Sequence, residues 1–142
     1  MKSINRISIL VTLLTITSCG SPEKEVASRF CNCMPPLLEL MDKSKEMDDW
    51  YASLSTTGQG AVISGQSAEN IKKLFNVDID TAKLADYREL KANAPVITKE
   101  VQSCINAVTD EYGDQIEDED FKKGMRIEIR EQCPDAASKI GI

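Results

Sequence analysis

Four cysteines, Cys31, Cys33, Cys104 and Cys133, constrain this chain most, because two lie almost side by side and their partners must come from far downstream. Residues two apart on a helix point to nearly opposite sides, about 200° at 100° per residue. A bond between Cys31 and Cys33 would therefore need local unwinding, and each is expected to reach a different element. Cys33 shares a helix face with Phe30 and Leu37, and Cys104 shares one with Val101 and Val108, so these two are expected to meet inside the core. Cys31 is expected to pair with Cys133, which ends the last helix, if the first helix enters beside that end. In an oxidising compartment an even set of cysteines reads first as disulfides. Bonds that close loops of tens of residues contribute about 3 to 4 kcal/mol each in the chain-entropy model.

The start of the chain supplies that compartment. Lys2 and Arg6 form a basic region, Ile7 to Thr17 an uncharged and largely apolar run, and Thr17-Ser18 a small-residue end. This is the layout of a secretory signal, and it falls short of the roughly 20 apolar residues that span a bilayer as a helix. Ile16-Thr17-Ser18-Cys19 resembles the lipobox of bacterial lipoproteins, in which an aliphatic residue, two small residues and a cysteine direct lipidation and cleavage. The resemblance implies that residues 1–18 are removed and that Cys19 becomes a lipidated N-terminus. It thus implies a membrane partner reached through that lipid. Two or more acyl chains give stable anchoring where one does not. Gly20 stands where an aspartate would favour inner-membrane retention, so the resemblance favours the outer membrane of a cell that has one, with surface exposure a further option.

Residues 19–21 then form a lipidated end and a short tether, and 22–142 a single helical domain. Lys2 and Arg6 are the basic residues lost with the signal. The remaining 15 basic and 23 acidic side chains leave a formal charge of −8. Binding a phosphate backbone needs the opposite sign, so nucleic acid is not expected as a partner.

Helical spacing dominates the rest of the chain. Ser21-Pro22 reads as a cap and first helical residue, opening a helix to about Met34. Pro35-Pro36 breaks it, and a second runs from Pro36 to about Ser53. The glycine-rich, uncharged stretch 55–67 reads as a flexible loop. Helices are expected over 68–75, from Asp80 to about Asn93, from Pro95 to a cap at Gly113, and over 117–132, with Cys133-Pro134 closing the last. No alternating run long enough for a sheet appears. The fold class is all-α, a small bundle of four to six helices stapled by two disulfides.

Few residues point to chemistry. Cys31-Asn-Cys33-Met34 could serve as a thiol redox centre or a soft-metal site, but the usual Cys-x-x-Cys spacing is missing and the chain has no histidine. Structural disulfides are the favoured reading, with no metal and no cofactor expected. Gly60 to Ser67 nearly spells a phosphate loop, with Gln66 in place of its lysine. Asn76-Val-Asp78-Ile-Asp80 opens like a calcium loop, but Thr81 and Tyr87 stand where a glycine and a glutamate are needed. The acids from Asp110 to Asp120 suit a helix start. Trp50-Tyr51 reads as a core closure or, less simply, a binding patch. No G-x-S-x-G nucleophile elbow occurs, and no catalytic residue can be named.

Through Cys31, Cys33 and Cys133-Pro134 the whole chain resembles small bacterial lipoproteins that carry a cysteine pair in the first helix and a Cys-Pro near the C-terminus. That resemblance implies no activity. The expected role is a non-enzymatic module of the cell envelope that binds an envelope protein or a small ligand. The alternatives are a Cys/Met metal or thiol redox protein and, behind it, a small hydrolase.

Overall fold

The computed structural model describes residues 20–142. The expected signal segment 1–18 and the lipidation residue Cys19 lie outside the described residues. Among the described residues the chain forms seven helices and no strand.

Helix α1 (Pro22–Cys33) starts as its residues dictate: the Ser21 hydroxyl accepts the Lys24 N–H, Pro22 sits in the first turn, and Glu23 and Glu25 face the positive end of the dipole. Met34, buried, separates α1 from α2 (Pro35–Ser53). It keeps helical angles although a proline follows, so the expected break shrinks to one residue. Pro35 and Pro36 fall where a helix needs no N–H partner, and the Met34 carbonyl accepts the N–H groups of both Leu37 and Leu38.

The stretch expected as a flexible loop, 55–67, contains helix α3 (Thr56–Ile63). Ser55 caps it by accepting the Gly58 N–H at 3.1 Å, and Ala61 and Val62 bury against Trp50, Ile71, Ile79 and Leu84. A Cβ at Gly58 would stand 3.3 Å from Leu54 Cβ, so its lack of a side chain lets the helix sit close. Tertiary burial thus outweighs the poor helix propensity of this segment. Gly65, with φ +76°, turns the chain into α4 (Ala68–Phe75), which Ser67 caps at the start and left-handed Asn76 at the end.

Helix α5 (Thr81–Glu117) runs through Pro95 and Gly113, where two helices and a glycine cap were expected. The proline forfeits a hydrogen bond, but α2 splints the helix: Leu90, Ala94 and Ile97, on either side of Pro95, pack with Leu37, Leu40 and Met47. Beyond Gly113, Ile116 packs into the cluster of Val26, Cys33, Val108 and Phe121, which gives the helix reason to continue. At about 1.5 Å per residue its 37 residues span about 55 Å. Asp118 caps α6 (Glu119–Gln132) by accepting the Phe121 N–H at 2.8 Å. Cys133 caps the end of α6, where a close was expected, and Pro134 begins a further helix that was not, α7 (Pro134–Ile140), whose Ala136 and Ala137 are buried. Two added helices and one fusion account for seven in place of four to six.

Contacts set the layout. Arg29 pairs with Glu111, Cys33 with Cys104 and Asp48 with Lys91, so α1 and α2 follow one another along α5 in the opposite direction. Helix α6 turns back beside α1, with Ile129 against Ala27 and Gly124 near Glu23. One end of the molecule thus gathers the start of α1 and the α5–α6 turn, and the other gathers α3, α4 and the start of α5. The core is made of four hydrophobic clusters: one among α2 to α5, one between α2 and α5, and two that share Met125 on either side of α1.

Candidate binding cleft

Between α2 and α5 lies a cleft of about 380 Å³, lined among the described residues by these two helices alone. Its α2 wall carries Pro36, Leu40, Lys43 and Met47, and its α5 wall Asp86, Leu90, Asn93 and Ile97. Both sets follow the spacing i, i+4, i+7, i+11, which keeps one face of a helix turned to the same side for three turns. Leu40, Met47 and Leu90 are each less than a tenth exposed and form an apolar floor. Glu39 and Glu46 edge one side and Asp86 and Glu89 the other, with Lys43 the single cation among these lining residues.

The electrostatics favour the charged forms. The Lys43 ammonium bonds the Glu39 carboxylate at 2.7 Å. That hydrogen bond, then the Glu39 charge, raises Lys43 above its ordinary value, and Glu89 and Asp86 across the cleft add to it. The same bond and charge hold Glu39 below its ordinary value. Neither group is tuned to exchange a proton near neutrality. The arrangement sets an apolar floor between edges of negative charge.

The residues singled out from the sequence fall elsewhere. Cys31 pairs with Cys133 and Cys33 with Cys104, at Cα separations of 5.8 and 5.7 Å. Cys33 is buried while Cys104 lies at the surface, so this bond forms at the edge of the core and not inside it. The four thiols that a soft-metal or redox centre would use are thereby engaged. Of the calcium-like stretch, Asn76 ends α4, Asp78 pairs with Lys72 at 2.8 Å, and Asp80 caps α5. Of the phosphate-loop-like stretch, Gly60 lies within α3, the Gln66 carbonyl accepts Arg88 at 2.6 Å, and Ser67 caps α4. The acids from Asp110 to Asp120 are spread over the end of α5 and the start of α6, where Arg29 takes Glu111 and Lys122 takes Glu119. Among the described residues no group of three or more His, Cys, Asp or Glu is placed to hold a metal ion. Trp50 is buried, and Tyr51 stacks on Tyr87 with ring centres 5.5 Å apart.

The acidic edges are not apparent from the sequence. Its proline places Leu90 and Ile97 in two helices, and only a continuous α5 puts both on one wall. The matched spacing of 36, 40, 43, 47 and 86, 90, 93, 97 is the signal that could have found them.

Comparison of the chain with protein-family models, with curated proteins and with solved structures finds no match.

Proposed function

We propose that this chain is a lipid-anchored lipoprotein of the cell envelope, held in the membrane through Cys19 and acting as a non-enzymatic binding module. The observation that carries this reading is the ordered run of basic residues, apolar stretch and lipobox-like Ile16-Thr17-Ser18-Cys19 at the start of the chain. Gly20 after the cysteine favours the outer membrane where the cell has two. Among the described residues no helix is long and apolar enough to cross a membrane; in this reading the anchor is the acyl chains on Cys19. Two cystine bonds fit an oxidising compartment. The cleft between α2 and α5 supports the binding role, since an apolar floor with a few polar groups is the usual make-up of a ligand site.

The test is the fate of Cys19→Ser in cell fractions. The wild-type chain should be recovered with membranes, should resist a salt wash, and should yield an N-terminal peptide with the mass of acylated cysteine. The variant should lose both the acyl mass and the attachment. An unacylated wild-type N-terminus, or a processed variant that still resists the wash, would overturn the lipoprotein reading.

A further inference from the structure

Near the start of the chain α6 packs in the groove between α1 and α5, making a three-helix arrangement whose apolar cluster draws on all three. Farther along the same axis α2 continues from α1 beside α5, but every residue lining the cleft there belongs to α2 or α5. Two antiparallel walls whose lining residues recur at matched three-to-four spacing, apolar at Pro36, Leu40 and Met47 on one and at Leu90 and Ile97 on the other, offer what the side chains of a third helix fill in a bundle. The stretch from Asp86 to Ile97 runs for about 16 Å, three helical turns.

The geometry points to a basic amphipathic helix of a partner protein as the occupant of this cleft, its apolar face on Leu40, Met47 and Leu90 and its Lys or Arg side chains against the acidic edges. Charge selects the occupant. Four carboxylates face one ammonium, and Lys43 is already taken by Glu39, so an incoming cation meets Glu46, Asp86 and Glu89. Complementary potentials steer encounter and fix register. Two copies meeting cleft to cleft would bring like charge to like charge, which disfavours that contact.

The proposal rests on the reading of the chain as a binding module, and it can fail separately. Acylation of Cys19 is read by mass, whereas occupancy of the cleft is read by peptide binding. The experiment uses the full chain, purified from membranes in a non-ionic detergent. The probe is a fluorescently labelled 14-residue peptide of leucine and lysine, with leucines at positions a and d, followed by anisotropy in about 0.15 M salt, where surface charges beyond about 8 Å are screened. Empty micelles supply the background.

The double reversal Glu46→Lys with Glu89→Lys should weaken binding at least tenfold. The double reversal Asp114→Lys with Glu117→Lys, which changes net charge equally but lies outside the cleft, should weaken it less than twofold. Circular dichroism confirms that both variants keep their helices. A leucine and glutamate peptide of the same pattern should not bind. Equal weakening by the two reversals, equal binding of the acidic peptide, or no peptide binding at all would overturn the proposal. So would a spermidine affinity matching the peptide's, which would make the cleft a small-cation site, or sedimentation as a dimer in which Glu89→Lys alone yields monomers.

Discussion

Ile129 has no exposed surface and packs with Ala27 and Ala137 where α1, α6 and α7 meet. Truncating it to alanine leaves a cavity that three helices cannot easily close, and such changes cost about 2 to 5 kcal/mol. We expect Ile129→Ala to lower the free energy of unfolding by an amount in that range, read as a lower urea midpoint with the slope of the transition unchanged. Ile127, nearly half exposed on the same helix, should tolerate alanine to within about 0.5 kcal/mol. Charge at the cleft edge gives a second expectation. Lys43 lowers the proton affinity of Glu39, so the pair's contribution is present above the ordinary carboxylate value and is lost as pH falls through the lowered one. On the alkaline side, where Lys43 is raised, the contribution persists below the ordinary lysine value and is lost as pH rises through the higher one. Between these limits the pair is charged on both sides and its effect is flat. The carboxyl carbon resonance of Glu39 should therefore titrate below the ordinary glutamate midpoint, and Lys43→Gln should move that midpoint back up.

Helix α5 offers the sharpest test at the scale of one element, because a glycine at 113 means opposite things at a helix end and within a helix. As a left-handed cap, Gly113 would resist substitution. Within a continuous helix, and with nothing within 4 Å of where a Cβ would stand, Gly113→Ala should stabilise by about 0.5 to 1 kcal/mol. Thermal unfolding decides the sign. The same helix shows how far the sequence could be read. The starts at Ser21 and Asp80 were legible because a capping side chain acts within three residues and leaves a local mark. Continuity through Pro95 was not, because it depends on Leu37, Leu40 and Met47 of α2 packing across the site of the defect. Helix α3 was hidden for a similar reason: its glycines argue locally for a loop, and only the burial of Ala61 and Val62 argues back. Helical periodicity made legible only that Cys31 and Cys33 would not bond each other; which partner each takes rested on an assumed direction of the first helix, and the expected burial of Cys104 did not hold. The cleft was not legible, since it requires both walls in their final register.

For the whole molecule the two cystines span sequence separations of 102 and 71 residues and tie α1 to the α6–α7 junction and to the middle of α5. Loops of that length are worth about 4 to 5 kcal/mol each in the chain-entropy model, set against a net stability of about 5 to 15 kcal/mol for most domains. Reduction should therefore remove much of the cooperative transition. Unfolding followed with and without dithiothreitol should show a midpoint lowered by about ten degrees or more, and alkylation should trap all four thiols once the chain has opened. Because α1 and α5 run in opposite directions, Ser21 lies by the C-terminal end of α5, and at about 1.5 Å per residue Ile97 is about 30 Å back along that helix. The bundle is in effect a strut, whose length keeps the near rim of the cleft about 30 Å from the end of the molecule where Ser21 lies.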